Sequence, residues 1–156
     1  TASITRRGDD RLVMGVKLMD RKLLKINLIG RLCLAFVLIY QGLVPKILWI
    51  SPVERALAEA HHLNADWISP LAGVFEMLLG FSLLYFKYSL RPVFLVMIVM
   101  LVLLLDVLIM MPGLLVETFN PLTINLCCSV LALIIVITHQ APLGLNNNRI
   151  NLIKGI

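Results

Sequence analysis

Lys46, Glu76 and Asp106 are ionisable side chains set in stretches that are otherwise apolar, and the amides Gln41 and Asn125 share those stretches. A charged group near the middle of a membrane helix costs roughly 3 kcal/mol, so a chain that keeps one there uses it to bind, to carry charge or to join helices. Two carboxylates, an ammonium and two amides at a common depth would line a polar pocket fit for a small cation or the head of an amphiphile. The competing reading is that these groups only hydrogen-bond across helix interfaces, as amides and carboxylates in membrane bundles often do. It weighs most for the amides and least for Glu76. Arg31 has two options as well, snorkelling to lipid phosphate, which is the preferred reading, or pairing inside the bundle.

Four long apolar elements must position these residues. The chain has 156 residues, of which 60% are hydrophobic and 15% charged, against about half apolar in soluble domains. The apolar stretches run over about 26–50, 70–86, 92–111 and 121–138, each near the ~20 residues that cross ~30 Å of hydrocarbon at 1.5 Å per residue. No alternating β-barrel pattern is present, which leaves helices as the way to satisfy the backbone in lipid. The expectation is an all-α, four-helix transmembrane bundle over 26–139, with a basic interfacial arm over 1–25 and a tail over 140–156.

Lysine and arginine set the orientation. Arg6, Arg7, Arg11, Lys17, Arg21, Lys22 and Lys25 precede the first span, Lys87 and Arg91 lie in the second connection, and Arg149 and Lys154 in the tail, whereas the opposite side has only Lys46 and Arg55. The positive-inside rule then puts both termini in the cytoplasm. The net charge of +5 needs no nucleic-acid partner, because anionic lipid at the N-terminal arm accounts for it. In that arm Leu12, Val16, Met19, Leu23 and Ile26 recur at helical spacing between basic residues, the pattern of an amphipathic interfacial helix, with Gly15 as its weak point. The long basic region and the lack of a small-x-small site after residues 28–40 argue against a cleaved signal peptide.

Local punctuation supports the same map. Ser51-Pro52, Ser69-Pro70 and Asn120-Pro121 each pair a capping residue with proline at the first helical position. Ser51 with Glu54 makes a capping box, which predicts a short outer helix from Pro52 to His62 with Val53, Leu57 and Ala60 turned toward membrane or bundle. Pro112-Gly113 ends the third span, and Asn146-Asn147-Asn148 marks a flexible tail. On this map Gln41 and Asp106 lie about 5 to 9 residues below the outer boundary, roughly 8 to 14 Å, with Glu76 about 7 and Asn125 about 5 residues below it. A compact bundle would gather them into one pocket opening outward. Lys46 lies nearer the surface, free to snorkel out or to bend toward a buried carboxylate. Pro45, four residues after Gln41, should kink the first span and free carbonyls toward the pocket, unless the helix simply ends at Val44 with Trp49 as an interfacial anchor.

Other chemistries find little support. Cys127 and Cys128 are adjacent, about 100° apart on a helix, and Cys33 stands alone, so packing explains them better than thiol redox. His61 and His62 point to different faces, and with Glu54, Glu59 and Asp66 nearby they make only a weak metal pattern; no metal site is assigned. His139 marks the inner end of the fourth span. No catalytic triad, phosphate loop or dinucleotide fingerprint is present.

Arg31 and the run Tyr40-Gln41-Gly42-Leu43-Val44-Pro45-Lys46, Glu76 followed by Leu79-Gly80, and Phe119-Asn120-Pro121-Leu122-Thr123-Ile124-Asn125 together resemble the DoxX-like family of small four-helix membrane proteins, over roughly 27–138. The resemblance implies a bacterial cytoplasmic membrane, and relatives linked to thiosulfate:quinone oxidoreduction and thiol redox complexes. The expected function is therefore a redox-associated or quinone-interacting accessory subunit or binding module with a polar pocket in the outer half of the bilayer, without catalysis of its own, with a quinone as a non-covalent ligand at Gln41, Lys46, Glu76, Asp106 and Asn125 and a larger membrane or redox complex as partner. The alternatives are a carrier or binding protein for a small cation or amphiphile, and a purely structural subunit.

Overall fold

The computed structural model describes the backbone of residues 2–118 and 120–144, and the side chains of residues 14–15, 18–118 and 120–139. The tail after residue 144, including Asn146 to Asn148, lies outside the described residues, as do Phe119 and the side chains of Leu12 and Val16. The described chain is helical without strands: α1 (Ala2–Leu43), α2 (Pro52–Ala60), α3 (Ala65–Tyr85), α4 (Arg91–Met110) and α5 (Pro121–Gly144). A π-helical turn at Val44–Leu48 continues α1, and a 3-10 turn at Pro112–Val116 follows α4.

Four segments are long and apolar enough to cross a membrane: Leu18–Leu48, Ala65–Tyr85, Arg91–Met110 and Pro121–His139. The predicted all-α four-helix bundle is the fold observed, and this is an integral membrane protein. Its surface agrees, since Phe36, Leu71, Leu78, Ile98, Leu101 and Ile137 are exposed where only lipid can receive them. Trp49 and Trp67 are exposed near one end of the bundle and Tyr85 and Tyr88 near the other, the two belts expected at membrane interfaces. The basic arm is one continuous helix with the first span, passing through Gly15 without a break. Met19 and Ile26 are exposed and Leu23 half-buried.

α1 is the central element, packed most extensively against α3 and then α5, while α4 leans mainly on α5. Leu34, Leu38, Leu83, Val93, Val96, Ala132 and Ile135 form the fully buried core. Glycines decide how α1 meets α3. A Cβ on Gly42 would collide with the carbonyl oxygen of Gly73, and one on Gly73 with that of Gly42, while a Cβ on Gly80 would come within 3.0 Å of the Ala35 carbonyl. Close backbone approach of this kind is how membrane helices gain packing where lipid removes the hydrophobic drive between them.

The caps follow the sequence at two of three places. Ser51 Oγ accepts from Glu54 N at 3.2 Å, and Asn120 Oδ1 accepts from Thr123 N at 2.9 Å. Ser69-Pro70, however, does not begin a helix: α3 starts at Ala65, capped by Asn64, whose Oδ1 accepts from Asp66 N at 2.9 Å. Asn64 with an acidic residue in the first turn makes a complete start signal, so Pro70 falls one turn later and takes only one bond out of the ladder. The short helix ends two residues earlier than predicted. His62 takes the left-handed conformation (φ 57°), His62 N donates to Glu59 O at 2.9 Å and Leu63 N to Ala58 O at 2.8 Å, the two bonds of a Schellman cap. Val53 and Leu57 face the bundle, Ala60 is exposed, and Ala58 is buried.

Candidate functional site

The α1–α3 crossing places Lys46 against Glu76. Gly73, Glu76 and Gly80 share one face of α3 at helical spacing, and the glycines let that face press on α1 until the Lys46 ammonium lies 3.0 Å from Glu76 Oε1. Pro45 widens the end of α1 into the π-helical turn that carries Lys46. The Val44 and Pro45 carbonyls accept from Trp49 N and Ser51 N, each at 2.9 Å. The turn thus serves to aim Lys46 inward and to lead into α2.

α2 supplies the third charge. Glu54 Oε1 lies 3.2 Å from Lys46 Nζ, so one ammonium bridges two carboxylates from different helices. Lys46 is 8% exposed and Glu76 5% exposed. Of the two options open to Lys46, snorkelling and pairing, the structure has the second. Glu76 Oε2 is buried and lacks a hydrogen-bond partner among the described residues. Fully ionised, the three side chains would carry one positive and two negative charges, and Glu76 Oε2 is an unused acceptor.

This cluster borders a cavity of about 240 Å³ lined by residues of α1, α2, α3, α4 and α5. Gln41, Lys46, Glu76 and Asn125 all line it, together with Glu54, and its walls are Val37, Leu38, Leu57, Met100, Leu103, Val107 and Ile124. The side chains of Gln41 and Asn125 make no hydrogen bond to a described residue, although the Asn125 carbonyl accepts from Ser129 Oγ at 2.8 Å.

Asp106 stands apart from the other four. α4 faces the cavity with Met100, Leu103 and Val107, and Asp106 is turned about 100° from Val107. Its carboxylate instead meets His61 Nε2 at 2.8 Å, at the end of α2. The bond ties α2 down over the cavity, with Lys46–Glu54 as a second tether. Sequence reasoning assigned Glu54 a capping role and missed its pairing with Lys46. The available signal was an acidic residue in the first turn of a helix that begins six residues after Lys46.

Arg31 corrects another expectation. It does not snorkel: it is 1% exposed, and it donates from Nε to Asn27 Oδ1 at 3.0 Å, from Nη1 to Leu83 O at 3.2 Å and from Nη2 to Ser89 O at 2.9 Å. Asn27 in turn donates to Ile135 O at 2.7 Å and to Thr138 Oγ1 at 3.0 Å. Carbonyls in the last turn of α3 and in the connection to α4 offered the guanidinium a better set of acceptors than lipid. The i, i+4 spacing of Asn27 and Arg31 was the sequence signal. Cys33, Cys127 and Cys128 are all free thiols.

Residues 35–135 match the profile of the DoxX-like family. The chain belongs to the DoxX-like family. No curated protein and no solved structure matches it significantly. The part of the chain shared with the DoxX-like family includes every polar residue of the Lys46–Glu76 cavity, whereas Asn27, Arg31, Thr138 and His139 lie outside it.

Proposed function

We propose that this DoxX-like protein is a membrane binding subunit for a small amphiphile, whose head offers a hydrogen-bond donor or a positive charge to Glu76 and whose apolar part lies along Leu38, Leu103 and Ile124. The observation that carries the reading is Glu76 Oε2, a buried carboxylate oxygen without a partner beside an apolar-walled cavity. Buried polar atoms are rarely left unpaired, and an exception asks for a ligand, water or ion. Gln41 and Asn125 supply further donors and acceptors around the head. Asp106 serves the site indirectly by holding α2 through His61. The protein sits in a bacterial cytoplasmic membrane with both termini in the cytoplasm, and the family's redox relatives suggest service to a larger redox complex.

Two heads meet the chemistry of the cavity. A hydroquinone has hydroxyl donors on a flat apolar ring, and an ammonium-bearing amphiphile supplies the missing positive charge. The test is to extract the protein from its native membrane in mild detergent, identify co-purifying lipophilic molecules by mass spectrometry, and titrate a short-chain ubiquinol and a long-chain alkylammonium into the Glu76→Gln variant and the parent. One of the two should bind the parent and bind the variant on the order of tenfold more weakly, the loss of one charge-assisted hydrogen bond. Binding of neither probe, with nothing co-purifying, refutes the reading. Equal affinity in the variant also refutes it.

A further inference from the structure

At the opposite end of the bundle from Lys46, beside the α3–α4 connection, Arg31 is a buried cation without a buried anion among the described residues. Fifteen residues separate the two positions, about 22 Å along a helix at 1.5 Å per residue, so the two groups belong to opposite ends of the bundle. No carboxylate lies within ion-pair distance of Arg31 among the described residues, and its three hydrogen bonds go to neutral oxygens. A guanidinium has five N–H donors. These bonds take one hydrogen from each nitrogen, and the second hydrogens of Nη1 and Nη2 have no partner among the described residues. A buried charge left uncompensated is costly, and in membrane interiors such groups are usually paired.

Arg31 borders a second cavity, of about 370 Å³, that Lys87, Tyr88 and His139 also line. An ammonium, an imidazole and a phenol therefore share the cavity with the guanidinium, the Lys87 ammonium lying 5.1 Å from the centroid of the Tyr88 ring. Asn27 and Thr138 are committed to each other and to the Ile135 and Ile134 carbonyls, so they fix the Arg31 geometry and leave the recognition to Arg31, Lys87 and His139. The remaining wall is apolar, formed by Leu24 and Leu28, both exposed on the membrane-facing side of α1.

We propose that this cavity binds a phosphate-type anion, on the Arg31 fork with Lys87 and His139. Arginine held rigidly by its own hydrogen bonds presents the geometry that phosphate oxygens accept. The shared chemistry has two sources, the headgroup of an anionic phospholipid, with its acyl chain along Leu24 and Leu28, and free inorganic phosphate. The proposal is independent of the Glu76 reading, since no residue is common to the two cavities.

The experiment uses the full chain in neutral detergent, with native mass spectrometry after addition of phosphatidylglycerol or phosphatidylcholine, and thermal unfolding with inorganic phosphate. Three proteins are compared: the parent, Lys87→Gln/His139→Gln, and Arg21→Gln/Lys22→Gln/Lys25→Gln, which weakens the diffuse attraction of the basic arm. If the headgroup is the source, the parent and the arm variant retain a phosphatidylglycerol in preference to phosphatidylcholine by on the order of tenfold, and the Lys87/His139 variant loses most of that preference while unfolding at the same temperature. If free phosphate is the source, phosphate raises the unfolding temperature of the parent and of the arm variant but not of the Lys87/His139 variant. Equal retention of the two lipids by the parent with no effect of phosphate overturns the proposal. So does a preference that the arm variant loses and the Lys87/His139 variant keeps.

Discussion

Removing the ammonium of Lys46 should expose how the Glu54–Lys46–Glu76 cluster is held together. Lys46→Met keeps much of the side-chain volume and leaves Glu76, buried at 5% exposure, facing Glu54 with no cation between them. At 3.0 Å and an effective dielectric of 20 the Lys46–Glu76 attraction is about 5.5 kcal/mol before desolvation is subtracted. Breaking a buried pair from one side typically costs about 3–5 kcal/mol, because the partner is left charged and unpaired. Glu54 is partly exposed and adds little. Glu76→Gln alone should cost about 1 kcal/mol or less, since the amide oxygen still accepts from Lys46 and interhelical hydrogen bonds in membranes are worth about that. The double variant Lys46→Met/Glu76→Gln should therefore be more stable than Lys46→Met, with a coupling of about 2–3 kcal/mol. The assay is reversible unfolding in mixed micelles with a denaturing detergent, followed by circular dichroism for all four proteins. If the two substitutions add, so that Glu76→Gln is as costly without Lys46 as with it, the buried ion pair is not what the cluster contributes.

Cysteine labelling from outside intact cells, in a background with Cys33, Cys127 and Cys128 replaced by serine, should reach Glu59→Cys and Glu117→Cys but not Tyr88→Cys; labelling at position 88 would invert the orientation. Gly42→Leu should lower the unfolding free energy of the bundle by about 1–3 kcal/mol or abolish folding, because its side chain must enter the space of the Gly73 carbonyl, whereas Gly15→Leu, with open space around it, should leave the melting temperature unchanged. Asp106→Asn should speed hydrogen exchange across α2 relative to α3 by loosening the bond to His61, and unchanged exchange would show that Lys46–Glu54 alone holds α2 down. His62→Val should destabilise the α2 cap by about 1–2 kcal/mol against His62→Gly, since the position needs a left-handed backbone, and equal melting temperatures for the two would contradict that.

What sequence alone decided here is what depends on neighbours along the chain. Apolar stretches of spanning length commit the backbone to helices, because nothing else satisfies its hydrogen bonds in lipid, and Ser51-Pro52, Asn120-Pro121 and Pro112 end or begin elements through bonds that reach only three or four residues. Even this local reasoning failed where two start signals competed, Asn64 winning over Ser69 by providing an earlier cap.

Which polar group meets which was not legible, because it depends on the rotation of each helix about its axis and on where helices cross. The glycine contacts between α1 and α3 set both for Lys46 and Glu76, and a turn of about 100° per residue carried Asp106 out of the same cavity and under His61. Arg31 turned inward for a similar reason. Two of its three acceptors, the Leu83 and Ser89 carbonyls, stand more than fifty residues away in sequence and come within reach only once α3 has packed on α1.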